Sequence, residues 1–176
     1  MHQERLQTIA AYSVLRANPS FFDGKWKLEW CAPELREALL SAEPDALGAV
    51  LREVAPGVWT FPMLTQEACA MLVGEVDRYD GSGLPVSRPN SMNKYGLVLN
   101  EIGMEPLFDD LQRTVLGPIA ARLFPREGGA LDRHHSFVVR YQVGSAPSRA
   151  RARWRTVAAP RPLVRAAWEG ARDQRL

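Results

Sequence analysis

The chain is poor in the side chains that most often carry chemistry. Of 176 residues, two are cysteine, Cys31 and Cys69, and three are histidine, His2, His134 and His135. Two cysteines exclude a disulfide framework and a cysteine-based zinc site. No His-Glu-x-x-His, Cys-x-x-Cys, Gly-x-x-x-x-Gly-Lys or Gly-x-Ser-x-Gly occurs, which removes the commonest metalloprotease, redox, phosphate-binding and serine-hydrolase signatures. No apolar run approaches the about 18 residues that a membrane helix needs. Residues Met1 to Asn18 place Glu4, Arg5 and Arg16 among their apolar positions, unlike the apolar core of a secretory signal. An intracellular location, cytoplasmic or nuclear, is therefore expected. With 46% hydrophobic and 24% charged residues, the composition excludes a wholly disordered chain, a collagen-like repeat and a coiled coil.

What is present is unevenly spread. The formal charge of +2 hides a break near Gly144. Residues 145–176 hold eight arginines and two acids, hence +6, and the first 144 residues hold 14 basic and 18 acidic residues, hence −4. Arginine and alanine make up half of those last 32 residues. Three origins fit so narrow an alphabet: a basic arm for nucleic acid or another acidic partner, a solvated tail, or the product of an alternative exon or shifted reading frame in GC-rich DNA. Trp154 and Trp168 stand apart from one another, so no stacking platform for single strands is evident.

The body reads as helices alternating with short strands. Apolar spacing predicts a helix over Gln3 to Arg16, ended by Asn18-Pro19. Phe21, Phe22, Trp26 and Trp30 are expected to pack across a helix junction. Pro33 suits the first turn of a helix running to Leu40, and a second short helix is expected over Asp45 to Val54. Pro56-Gly57 is a turn and Val58 to Phe61 a strand. Thr65 is the strongest N-cap signal, opening a helix to Tyr79 on which Ala68, Met71, Leu72, Glu75 and Val76 fall at helical spacings. Leu84 to Asn93 reads as a loop, Tyr95 to Leu99 as a strand, and Met104 to Leu123 as one long amphipathic helix that Pro118 can kink. Ser136 to Val143 is a final strand. With nothing beyond Gly144 to cover its edge, that strand is expected to be an aggregation hazard.

Few groups suggest a site. His134 and His135 are adjacent at the start of a strand, where successive side chains point to opposite faces, so they are not expected to grip one ion. Asp109 and Asp110 lie about 100° apart on a helix, a poor acid–base pair, and are expected on a solvated face. Neither cysteine sits in a basic cluster that would lower its pKa.

Two stretches carry a resemblance. One is Arg88-Pro89-Asn90-Ser91-Met92-Asn93-Lys94-Tyr95-Gly96-Leu97-Val98-Leu99. The other is Gly128-Gly129-Ala130-Leu131-Asp132-Arg133-His134-His135-Ser136-Phe137-Val138-Val139-Arg140-Tyr141. The helix between them, with Leu116-Gly117-Pro118-Ile119 and Leu123-Phe124-Pro125, is similar too. Over residues 58–144 the chain resembles the prolyl 4-hydroxylase-like Fe(II)/2-oxoglutarate dioxygenases.

The resemblance implies an oxidoreductase whose core is a double-stranded β-helix, or jelly roll. It further implies Fe(II) held by a His-x-Asp pair and a distant His, with open positions for 2-oxoglutarate and O2, and ascorbate as an accessory of the family. The His-x-Asp of such enzymes follows a strand ending Tyr-x-x-Gly, here Tyr141-Gln142-Val143-Gly144. No histidine follows His135, so no catalytic or metal-ligating residue is assigned and the chain is expected to be a truncated, inactive product. Only Tyr141 matches a site position, as a hydrogen-bond donor to 2-oxoglutarate; the alternative is a Tyr packed in the core. The expected fold class is α+β: a helical region over 1–57, the first strands of an incomplete jelly roll over 58–144, and a poorly ordered Arg/Ala-rich tail over 145–176.

Overall fold

The computed structural model describes residues 2–87, 89, 95–126 and 131–140. Contacts divide the chain into one unit over Met1–Tyr141 and a second over Gln142–Leu176. Every described residue lies in the first, so the expectations for the tail, the open strand edge beyond Arg140 and Tyr141 fall outside the described residues.

The architecture is α+β. Helix α1 (His2–Ser13) is followed by two 3₁₀ turns, Pro19–Phe22 and Leu28–Trp30. Next come α2 (Pro33–Leu40), α3 (Ala46–Val50), β1 (Arg52–Ala55), β2 (Val58–Thr60) and α4 (Gln66–Asp80). The chain continues through β3 (Gly96–Val98), a 3₁₀ turn (Leu99–Ile102), α5 (Glu105–Leu111), a π-helical turn (Gln112–Leu116), α6 (Gly117–Leu123) and β4 (Phe137–Val139). The strands form two antiparallel pairs, β1 with β2 and β3 with β4. No helix among the described residues is long and apolar enough to cross a membrane.

Local chemistry explains most boundaries. The Thr65 hydroxyl oxygen accepts the Ala68 N–H at 3.1 Å, satisfying one of the orphan donors at the start of α4. Pro33 opens α2, where a missing N–H costs nothing. Helix α1 ends at Ser13, short of the expected Arg16. The Ser13 hydroxyl donates to the Ala10 carbonyl, and the chain then turns inward so that Ala17 and Asn18 present their N–H groups to Glu75.

Two expectations are corrected. The helix expected over Asp45 to Val54 stops at Val50, and Arg52 to Ala55 is instead one arm of a hairpin closed by Pro56-Gly57, with Glu53 opposite Trp59. All four residues of β1 are exposed, so no apolar alternation marked them as a strand. The long helix over Met104 to Leu123 is three segments. Pro118 has no N–H to donate to the carbonyl four residues back, and the chain widens into a π turn in which Gly117 N–H reaches the Gln112 carbonyl. The axis continues rather than ending.

Two hydrophobic clusters form the core. The first gathers Tyr12, Phe21, Trp30, Tyr79, Leu97, Ile102 and Leu107. The second gathers Cys31, Leu35, Leu51, Leu111, Val115 and Ile119. Trp26 and Phe108 pack against both. The aromatic stretch does pack across a junction, through edge-on pairs of Phe21 with Trp30 and of Trp26 with Trp30. β3 enters the first cluster so closely to β4 that Gly96, at φ +140°, admits no side chain: a Cβ would stand 2.0 Å from the Val138 carbonyl oxygen.

Candidate functional site

The described polar groups converge where β4 begins. Asn100, buried in the 3₁₀ turn after β3, accepts the Ser136 N–H at 2.8 Å through Oδ1. Its amide nitrogen lies 3.4 Å from His134 Nδ1, and the same side chain helps to hold the Glu105 carboxyl below its usual range. Ser136 Oγ stands 3.0 Å from the same Nδ1, and His134 Nε2 stands 3.0 Å from Asp109 Oδ1. With the ring proton on Nε2, His134 donates to Asp109 and accepts from Ser136 and Asn100, so every contact is satisfied. The order Ser136, His134, Asp109 has the connectivity of a nucleophile, a base and its orienting acid. Two features make it a tie instead. The Asn100 amide shares Nδ1 with the hydroxyl, and the Asp109 side chain is 66% exposed, which weakens its hold on the ring.

The N-terminal side adds two charged contacts. Arg5 pairs with Glu105, and that bond, opposed by burial, holds the Glu105 carboxyl below the usual range. Glu75 is fully buried on α4. Its Oε1 accepts the Tyr12 hydroxyl at 2.6 Å, and its Oε2 accepts the N–H groups of Asn18 at 2.7 Å and Ala17 at 3.1 Å. Burial foremost, then Glu75, pushes the Tyr12 hydroxyl pKa up, so its proton stays to be shared. The Arg16 guanidinium lies 4.0 Å from the Phe22 ring centroid.

The residues marked out by the sequence fare differently. His134 and His135 diverge, His135 Nε2 lying 3.2 Å from the Pro89 carbonyl. Asp110 corrects its expectation. It is not a solvated surface group but a half-buried anchor that accepts the Trp26 N–H at 2.8 Å and pairs with Arg113. Burial raises the pKa of both cysteines, alone at Cys69 and, at Cys31, against the opposing effect of the Trp26 indole N–H that its sulfur accepts, so neither setting favours a reactive thiolate. Arg88, residues 90–94 and residues 127–130 of the two resembling stretches, and Tyr141, lie outside the described residues. Beside Asp109, an open groove of about 520 Å³ runs along Gln112, Gly117, Pro118, Leu131 and Asp132.

Iron needs at least two or three convergent His or carboxylate ligands with a free position. Among the described residues no three of His, Cys, Asp and Glu come together in a metal-binding group. Both nitrogens of His134 are already engaged by protein atoms. The described residues therefore do not fit the iron site that the resemblance implies.

The polar node is built from Asn100, Glu105, Asp109, His134 and Ser136, and four of these five lie between residues 100 and 135. That span overlaps a family model. The OGFOD2-like domain matches residues 24–129, three fifths of the chain. The chain belongs to the OGFOD2-like family. Human 2-oxoglutarate and iron-dependent oxygenase domain-containing protein 2 is 33% identical over 146 residues, covering 78% of this chain and 42% of that protein. The zebrafish (Danio rerio) protein of the same name is 38% identical over 120 residues, covering 64% and 35%. The Arabidopsis thaliana 2-oxoglutarate and iron-dependent oxygenase domain-containing protein CP2 is 35% identical over 114 residues, covering 62% and 29%. The chain thus spans less than half the length of these OGFOD2-like relatives. No solved structure matches it.

Proposed function

We propose that this polypeptide is the helical-support and substrate-side part of a Fe(II)/2-oxoglutarate-dependent dioxygenase, and that by itself it is catalytically inactive. The observation that carries the reading is the OGFOD2-like match over residues 24–129 in a sequence with no His-x-Asp pair and no histidine after His135. The relatives' names supply the cofactor class, iron and 2-oxoglutarate. In this reading residues 1–57 form the helical region and residues 58–144 the first strands of an incomplete jelly roll, with β4 as its first core strand. Residues 145–176 are a tail of alternative-exon or shifted-frame origin, and the product is intracellular. Tyr141 is the one position offered to 2-oxoglutarate. Neither iron nor ascorbate takes part in any step here, because loss of even one ligand of such a triad damages iron binding.

The test is turnover on this 176-residue polypeptide with Fe(II), 2-oxoglutarate, ascorbate and O2. The expected result is no succinate above the protein-free rate. Sustained succinate release would overturn the reading.

A second reading of a different class rests on the charge break: a non-catalytic interaction module that offers its +6 tail to an acidic partner or nucleic acid. It requires that removal of residues 145–176 abolish binding to duplex DNA or heparin, with a steep salt dependence before removal. Binding unchanged by the removal would reject it.

A further inference from the structure

The family match begins at residue 24, and α1 lies wholly before it. Yet α1 is anchored at both ends to groups inside the matched range. At its C-terminal end Tyr12, fully buried, gives its hydroxyl to Glu75, and the chain reversal that follows gives two backbone N–H groups to the same carboxylate. A buried carboxylate is costly unless each lone pair is met; the segment after α1 supplies the donors. Arg78 on the same helix as Glu75 donates from Nε to the Leu15 carbonyl at 2.6 Å. Midway, Ile9 closes on Gly103, where a Cβ would lie 3.2 Å from Ile9 Cγ2.

At the N-terminal end the contact does not stop at its partner. Arg5 pairs with Glu105, the first residue of α5, which follows the 3₁₀ turn Leu99–Ile102, and in that turn Asn100 Oδ1 holds the Ser136 N–H. Ser136 is the last residue before β4, and its carbonyl accepts the Leu99 N–H at 2.8 Å. Contacts therefore run from α1 through the 3₁₀ turn and its junction with α5 to the register-setting end of the β3–β4 ladder.

We propose that α1 is a positioning strap, belonging to the functional unit although it lies outside the family match, which fixes where β4 starts. The Glu75 clasp holds one end of the strap, and the Arg5–Glu105 pair and the Ile9–Gly103 contact seat it against the 3₁₀ turn whose Asn100 holds Ser136. The inference rests on the fold and holds whether or not the polypeptide binds iron.

Amide hydrogen exchange on the full chain tests it. In Glu75→Gln, which keeps an acceptor for Tyr12 but loses carboxylate acceptance of two backbone N–H groups, α1 amides should exchange at least tenfold faster. The Ser136 to Val139 amides should accelerate with them, while α6 stays unchanged. Arg5→Met should accelerate Ser136 to Val139 and leave the Tyr12 end of α1 protected, and Arg5→Lys should restore part of that protection. Should Glu75→Gln fail to fold, Tyr12→Phe gives the same pattern with a smaller rise. Faster α1 exchange with an unaltered β4 would overturn the proposal and leave α1 a cap without reach. An α1 unprotected in the unaltered protein would overturn it too.

Discussion

The two core clusters are built by different means. The first, around Tyr12, Trp30 and Tyr79, is aromatic and threaded by polar bonds. Tyr12 donates to Glu75, Tyr79 donates to the Pro85 carbonyl at 2.6 Å, and Glu75 and Asn100, the two buried polar residues among those described, both lie at its border. The second, around Leu35, Val115 and Ile119, is aliphatic, and the polar contact that reaches one of its buried side chains is the weak one from the Trp26 indole to Cys31. Apolar burial is non-directional, worth roughly 25 cal/mol per Å², so it fixes that elements pack but not how they are aimed. Hydrogen bonds in a buried site fix direction, and leaving one unmade is expensive. The first cluster is where α1 and the β3–β4 ladder must be aimed. The second only has to hold α2, α3 and α6 together.

If that contrast is right, the largest loss should come from removing the polar centre of the first cluster. Glu75→Ala strands the Tyr12 hydroxyl and the Ala17 and Asn18 N–H groups in the interior. It should cost about 3–5 kcal/mol in urea unfolding. A cost under about 1 kcal/mol would show that water replaces the carboxylate freely and would erase the distinction. In the second cluster Val115→Ala, at a fully buried site, should cost about 2–3 kcal/mol by lost burial and cavity formation. Replacing Val115 by Ile should be tolerated within about 1.5 kcal/mol. Strong intolerance to Val115→Ile would mean that the aliphatic cluster is as directional as the aromatic one.

Smaller effects sharpen the same picture at helix ends and at the surface. Thr65→Ala removes the cap of α4, which carries Glu75, and should lower stability by about 1 kcal/mol. Acid should act through Glu105. Arg5 holds its carboxyl pKa below the unfolded value, so the pair's contribution is full above the ordinary Glu range near 4.3 and is lost as pH falls through the lower folded value. The pair is partly exposed, so the expected change is a modest loosening of α1 as pH falls below the ordinary Glu range. Circular dichroism of wild type against Glu105→Gln reads it. An identical acid response in the two would remove Glu105 from the account.

How much of this was legible in the sequence depends on whether the cause was local. Thr65 as N-cap, Pro33 as helix opener and the packing of Trp26 and Trp30 follow from neighbours within a turn or two, and each is found in the fold. The β1–β2 hairpin was hidden because all of β1 is exposed and shows no apolar alternation. The π turn was hidden because Pro118 broke the hydrogen-bond register without breaking the axis. The polar node was the least visible part. Asn100, Glu105 and Ser136 are ordinary surface residue types, and partners up to 100 residues away give them their roles. One signal did exist: Glu75 sits on the apolar stripe of α4, and a carboxylate on a buried stripe must be met by donors. The family resemblance came from residue motifs alone, and the OGFOD2-like match over residues 24–129 bears it out.

The proposed function has this polypeptide carry the support side of an OGFOD2-like domain without an iron site of its own. Anaerobic titration of the 176-residue chain with Fe(II) in the presence of 2-oxoglutarate tests it most directly. The account predicts no saturable uptake at micromolar Fe(II) and no metal-to-ligand absorption band. Stoichiometric binding at micromolar Fe(II), with that band appearing on addition of 2-oxoglutarate, would contradict it.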